Sequence, residues 1–301
     1  ASDVYKRQRL GVGIVGTGRV GAVMGRALRE AGHAIVGCTA SSDASRDRAS
    51  AMLPDVPILD VETVVERSEL VLFTVPDDIL PELVAGLAKL GKFNSGQIVA
   101  HCAGRYGTEV LEPSGAIPLA LHPSLSFTGT SIDLPRLRQA TIAVTAPKPV
   151  LPIGQALVVE IGAEPVIVAP ADRPLYHTAI SHAANHTVVI LSQALELLTS
   201  VGLENPAQVL HSLVDASVNN TLQSGPSALT GPVSRGDIGT VEAHLGALSE
   251  FSLAQEGVAT RDTYVALARA TVARALTNGT ITDAQATALL DVLQASSTDP
   301  K

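Results

Sequence analysis

The chain places Gly16-Thr17-Gly18-Arg19-Val20-Gly21 directly after the apolar run Leu10 to Val15 and directly before the helical pattern Val23 to Leu28. Between a strand and a helix this spacing has a chemical use. Gly16 permits a tight turn, Gly18 lets backbone approach a pyrophosphate, and Gly21 lets the helix pack closely on the strand, while free amides at the helix start face the anion. Thr17, Arg19 and Val20 complete the cradle. A second strand candidate, Ala34 to Thr39, follows a helix closing at Gly32, which completes the unit of roughly 30 residues that a dinucleotide needs. A glycine turn with no ligand is the alternative. The end of that second strand selects the dinucleotide. It reads Cys38-Thr39-Ala40-Ser41-Ser42 with no carboxylate before Asp43, and Arg46 and Arg48 follow. A ribose with free hydroxyls is usually held by an acid at this point, and a 2′-phosphate by small polar groups and an arginine. Ser41, Ser42 and Arg46 are therefore expected to hold the 2′-phosphate of NADP(H), unless both arginines are solvated loop charges.

Hydride chemistry needs a proton donor and groups that fix the substrate. His177, Ser181 and Asn185 are spaced by four in a helical stretch and stack along one drifting face. A histidine can give a proton near neutral pH. His177 is the expected general acid, Ser181 a second contact and Tyr176 a reserve acid, against the reading of His177 as a packing residue. His122, in His122-Pro123-Ser124 at the end of an apolar strand, is expected to be a second acid or an anion contact. Thr230 to Asp237 packs two glycines, a proline, a threonine, a serine, an arginine and an aspartate between helices. Thr230 and Arg235 are expected to bind substrate, the guanidinium suiting a carboxylate; the alternative is a helix-to-helix turn with Asp237 capping the next helix and paired to Arg235. His182 and His186 have the i, i+4 spacing of a zinc grip, but Ala183 stands where HExxH has its glutamate, so no metal is expected.

Composition narrows the partners. The chain has 301 residues, 46% of them hydrophobic, and a formal net charge of −8 with no basic run. Nucleic acid and an anionic membrane surface are disfavoured, and a small-molecule substrate is expected. Cys38 and Cys102 make no disulfide framework and read as reduced core residues. Residues 1–8 show no apolar stretch of a signal peptide and no run long enough to span a membrane appears, so a cytoplasmic location is expected.

These residues must be positioned by elements that alternate through the first half. Apolar runs at 70–75, 97–100, 116–121, 141–144 and 165–168 follow the first βαβ unit and suit a sheet covered on both faces. From Ala171 onward only helical patterns appear: one of nearly thirty residues from Asp172 to Gly202, then 206–223, 240–248, 259–276 and one opened by the capping box Thr282-Asp283-Ala284-Gln285. The expected fold is α/β, a doubly wound dinucleotide-binding domain over 9–169 followed by an all-helical substrate and dimerisation domain over 170–296.

With its glycine turn, its long helix, Leu121-His122-Pro123, Tyr176-His177, Asn185 and the run Ala228 to Asp237, the chain resembles the Rossmann-domain superfamily of 6-phosphogluconate dehydrogenase, β-hydroxyacid dehydrogenase, ketopantoate reductase and pyrroline-5-carboxylate reductase. The resemblance implies an NADPH-dependent oxidoreductase, a homodimer, a nicotinamide lined by Val75, Pro76 and the backbone near Ala103, and Asn185 as the substrate-orienting residue. Relatives use a lysine of the long helix as donor. This chain's lysines, Lys6, Lys89, Lys92, Lys148 and Lys301, all lie outside it. The substrate is expected to be a 2-oxo acid of the ketopantoate type. The alternatives are an imine or pyrroline carboxylate, whose iminium carries its own proton, and a non-catalytic NADP-binding sensor.

Overall fold

A computed structural model describes residues 9–254 and 259–295. Its first half alternates β1 (Gly11–Val15), α1 (Arg19–Glu30), β2 (Ala34–Cys38), α2 (Asp43–Met52), α3 (Val61–Arg67), β3 (Leu70–Phe73), α4 (Leu80–Lys89), β4 (Ile98–His101), β5 (Ile117–Pro123), α5 (Asp133–Leu137), β6 (Thr141–Thr145), α6 (Leu151–Glu160) and β7 (Glu164–Ile167). The seven strands lie in the order β2-β1-β3-β4-β5-β6-β7. The first five are parallel; β6 runs against β5, and β7 follows β6. From β1 the chain steps out to β2 and then back across to β3, so strand order reverses at β1 and opens a crevice at the carboxyl ends.

The apolar runs are continuous because neighbouring residues serve opposite faces. Leu70 and Leu72 join Val12, Ile14, Met24 and Leu28 on one side of the sheet. Val71 and Phe73 join Val15, Val64, Val84 and Leu111 on the other. Each such buried side chain stabilises the fold by roughly 1.5–3 kcal/mol. Strand β3 stops at Phe73, two residues short of the expected run, because Thr74 turns its hydroxyl to the Gly16 carbonyl, 2.5 Å away.

By its contacts the chain divides into two units, Ala1–Ala184 and Asn185–Lys301, within the long helix α7 (Arg173–Ser200). The sheet's last strand ends at Ile167, and we retain 169/170 as a proposed sequence boundary. The second unit continues with α8 (Pro206–Ser224), α9 (Ile238–Ala254), α10 (Thr260–Thr277) and α11 (Asp283–Ala295). Val241 and Leu245 of α9, Val265 and Val272 of α10, and Leu289 and Leu293 of α11 form its core. The capping box at Thr282 is reciprocal: its hydroxyl accepts from the Gln285 amide and its own amide donates to Gln285 Oε1. Helix α9 outruns the expected 240–248 at both ends. Asp237 accepts the Thr240 amide and hydroxyl and so starts the helix earlier, and the core contact of Leu248 carries it on.

Gly21 shows how tightly the first crossover is packed. A Cβ there would overlap the Gly16 carbonyl oxygen and the Thr74 hydroxyl, which are hydrogen-bonded to each other. Gly21→Ala is expected to lower stability by about 1–3 kcal/mol in urea unfolding, whereas Gly86→Ala, which meets open space, is expected to leave it unchanged or raise it.

Candidate functional site

The glycine turn is tied to the strands on either side. The Gly16 amide donates to Thr39 Oγ1 at 2.8 Å, and the Thr17 amide and hydroxyl both donate to the Thr39 carbonyl, at 3.0 and 2.9 Å. Gly16 has φ of +100°, a left-handed value that a side chain would strain. Gly18 opens α1 without a side-chain cap, and a Cβ built there meets nothing within 4 Å. The helix start therefore keeps free amides with open space before them, which is what a pyrophosphate needs. Arg19 is exposed and Val20 half-buried beside this turn.

At the end of β2, Ser41, Ser42 and Arg46 are exposed. Ser42 is engaged in a capping box with Ser45 at the start of α2. Arg46 pairs with Asp43 at 2.9 Å, an exposed pair of small net worth that a stronger anion can replace. Arg48, the second arginine, turns toward the glycine turn, its Nε 3.5 Å from the Thr17 carbonyl. These small hydroxyls and cations, with no carboxylate between Cys38 and Ser42, fit a phosphorylated ribose.

Further along the same sheet edge, the loops after β3, β4 and β5 follow one another. Val75 is half-buried against the Gly16 turn and Pro76 is exposed. After β4 comes His101-Cys102-Ala103-Gly104. His101 is fully buried; its Nδ1 accepts the Ala103 amide at 3.1 Å, so its Nε2 donates to the Gly107 carbonyl at 2.7 Å. Burial, with the charge of Arg173, pushes His101 down to about 4 despite the Gly107 bond. It is a structural histidine that shapes the loop. Burial pushes the Cys102 thiol up to about 12 and raises Cys38 as well, so neither is a nucleophile at neutral pH.

The first turns of α7 meet this loop and β5. The His177 ring sits against Gly104, where any Cβ would overlap it. His122 packs edge-on to His177, with ring centroids 5.5 Å apart, and edge-on to Tyr176 at 5.7 Å. The Tyr176 hydroxyl is 2.8 Å from Ser124 Oγ and 3.4 Å from His122 Nδ1. Ser181 Oγ lies 3.5 Å from His177 Nε2. Burial, then the charges of Arg173, His177 and His101, push His122 down to about 4. At pH 7 it is a neutral imidazole able to donate or accept one hydrogen bond, not a cation for an anionic group.

The structure thus brings His122, His177 and Ser181 together with Tyr176, Ser124 and Gly104. Asn185, Thr230 and Arg235 fall in the second unit, all exposed. Arg235 ends a short 3-10 turn, and no ion pair with Asp237 occurs among the described residues. Among the described residues no group of three or more His, Cys, Asp or Glu could hold a metal. Two features escaped the sequence reading. Gly104 as the seat of His177 leaves no trace in spacing. Arg173 does: a cation in the first turn of a helix opposes the helix dipole and needs another reason to be there.

Residues 1–123 match the Rossmann-like domain, and residues 140–271 match a domain of unknown function, DUF2520. No curated protein sequence matches the chain significantly. Among solved structures, the fold is shared with a candidate NADP oxidoreductase from Bacteroides fragilis (20% identity, TM-score 0.74, covering 87% of this chain and 98% of that one). It is shared also with an imine reductase from Pseudomonas sp. (13%, 0.62, 95% and 100%) and with the NADP-bound pyrroline carboxylate reductase of Plasmodium falciparum (11%, 0.54, 95% and 97%). The protein is therefore an α/β chain with a Rossmann-like amino-terminal domain and a helical carboxyl-terminal part.

The buried histidines make stability depend on pH. Both His101 and His122 bind a proton near 6.5 when unfolded and near 4 when folded. Between those values the unfolded chain holds more protons, so stability is full above about pH 6.5 and falls as pH drops toward 4. His101 alone is expected to account for about 3 kcal/mol of that loss. Urea unfolding across pH 4.5–7.5 measures the slope, which should flatten in His101→Gln.

Proposed function

We propose that the protein is an NADP(H)-dependent oxidoreductase that reduces a small anionic carbonyl compound. One observation carries this reading: an open, uncapped helix start at the point of strand reversal shares a sheet edge with the cluster of His122, Tyr176 and His177. The bound coenzyme supplies the hydride. The amides of Gly16 to Gly21 bind its pyrophosphate, with Thr17, Arg19 and Val20 around them. Ser41, Ser42 and Arg46, with Arg48 close to the turn, take the 2′-phosphate. Val75, Pro76 and Ala103 line the nicotinamide side, a role that rests on the resemblance. His177 holds a proton on its ring and gives it to the developing alkoxide, with Ser181 beside it and Tyr176 in reserve. His122 offers a neutral hydrogen bond to the substrate. Asn185, Thr230 and Arg235, which lie in the second unit, are assigned to the substrate's carbonyl region and carboxylate on residue type and resemblance alone. The ketopantoate type of substrate rests on the resemblance alone.

A second substrate class has an observation in its favour. No lysine lies between Arg173 and Ser200, and an iminium needs none because it brings its own proton. The imine reductase and pyrroline carboxylate reductase likenesses support this alternative. A panel of 2-oxo acids and cyclic imines, followed by NADPH absorbance, separates the two. For a carbonyl substrate, His177→Ala is expected to lower kcat by about 10²-fold or more while leaving NADPH affinity unchanged. For an imine it should change kcat little. Tight NADPH binding with no turnover of any compound would mark a non-catalytic sensor, and calorimetry showing no uptake of NADPH or NADH would end the proposal.

A second copy of the chain is the proposed partner. Helix α7 buries only Arg173 and α8 buries none of its residues, while Leu175, Val188, Val189 and Ile190 of α7 and Val209, Leu213, Val218 and Leu222 of α8 are exposed. Two long helices with so little packing need a cover to persist in water. Sedimentation should show a dimer, and Leu213→Glu with Leu222→Glu should dissociate it; a monomeric wild-type chain overturns this part. No described helix is long and apolar enough to cross a membrane. The two free cysteines, Cys38 and Cys102, fit the cytoplasm we propose as its location.

A further inference from the structure

We propose that Arg173 is a positioning residue: its guanidinium fastens the first turn of α7 to the backbone of the loop after β4, seats His177 on Gly104, and faces the pair His122 and Tyr176 with a fixed positive charge. Arg173 is wholly buried, 0% exposed, at the first residue of a helix whose dipole disfavours a cation. A buried charge ordinarily needs a counter-ion. Among the described residues no carboxylate pairs with it: Asp77 lies toward Arg105, and Glu109 is occupied by the Gly107 amide. Its hydrogen bonds go instead to two backbone carbonyls, Nη2 to Ala103 at 2.7 Å and Nε to Tyr106 at 2.9 Å, and its buried Nη1 has no partner.

Those two carbonyls bracket Gly104, the residue on which the His177 ring rests, and His177 lies one helical turn beyond Arg173. The fork therefore fixes the helix and the shelf for its histidine in one contact. The shelf is already rigid, since His101 grips the Ala103 amide and the Gly107 carbonyl from beneath. A lysine has no planar fork with which to bridge two carbonyls.

The charge has a second consequence. The groups that interact with Arg173 are His101, Cys102 and Glu109 from β4 and its following loop, Asp77 from the loop after β3, His122 from β5, and Tyr176 from α7 itself. His122 faces Arg173, His177 and His101, all of them cationic or able to become so, and the Tyr176 hydroxyl. With no carboxylate paired to Arg173, its field opposes protonation of His122 and favours the deprotonated form of Cys102. Burial is the larger cause of the lowered His122 value and the Arg173 charge adds to it, which together leave His122 a neutral hydrogen-bonding group beside His177.

The turnover arm of the test rests on the oxidoreductase reading; the spectroscopic arm does not. Imidazole ¹⁵N spectra of the coenzyme-free protein are recorded from pH 4.5 to 8 for wild type, Arg173→Gln and Arg173→Lys. In wild type His122 stays neutral over most of this range. Arg173→Gln is expected to move its midpoint up by about one unit, and Arg173→Lys to leave it within about 0.3 units of wild type. Both variants should displace the amide signals of residues 103–106 and the ring signals of His177, and both should lower kcat about tenfold or more. An unmoved His122 midpoint in Arg173→Gln overturns the charge assignment. If Arg173→Gln does not fold, Arg173→Lys decides: unchanged signals at 103–106 and His177 overturn the seat, and displaced ones support it. Because these spectra need no coenzyme, absence of any NADPH turnover would count against the proposed activity and leave this inference standing.

Discussion

The whole arrangement depends on how closely backbone approaches backbone at the carboxyl ends of β1, β2 and β3. Thr39 receives the Gly16 and Thr17 amides, Thr74 binds the Gly16 carbonyl, and α1 starts within contact of both because Gly21 has no side chain. This constraint aims the first amides of α1 outward over the sheet edge. It also fixes the line along which the next loops can add functional groups.

Along that line the polar groups change from backbone amides and arginines to histidines and a tyrosine. The glycine turn offers amides and nearby arginines. In the loop after β4, His101 is buried and neutral and Cys102 remains a thiol, while the charge of Arg105 is turned to Asp77 and Asp78. The histidines and tyrosine beyond it are held in edge-on contact by packing and by the buried Arg173. His122, pushed down by burial and then by the charge of Arg173, is a neutral ring packed edge-on to His177.

The helical part is organised differently. Helices α9 to α11 bury a core of their own, while α7 and α8 carry apolar residues that the single chain leaves in water. That burial pattern is what points to a second copy.

Local chemistry was enough to read much from the residues themselves. The glycine spacing, the apolar strand runs, the 28-residue helix and the capping box at Thr282 all follow from interactions within a few positions of one another, so periodicity and residue type determine them. The four-residue spacing likewise put His177 and Ser181 on one face. Tertiary structure alone decided the rest. The reversal of β6, the seating of His177 on Gly104, the 5.5 Å approach of His122 from a strand over fifty residues earlier, and the burial of Arg173 between two carbonyls are contacts between distant segments. Their energies come from desolvation and close packing, which exist only once the sheet edge and the helix have met.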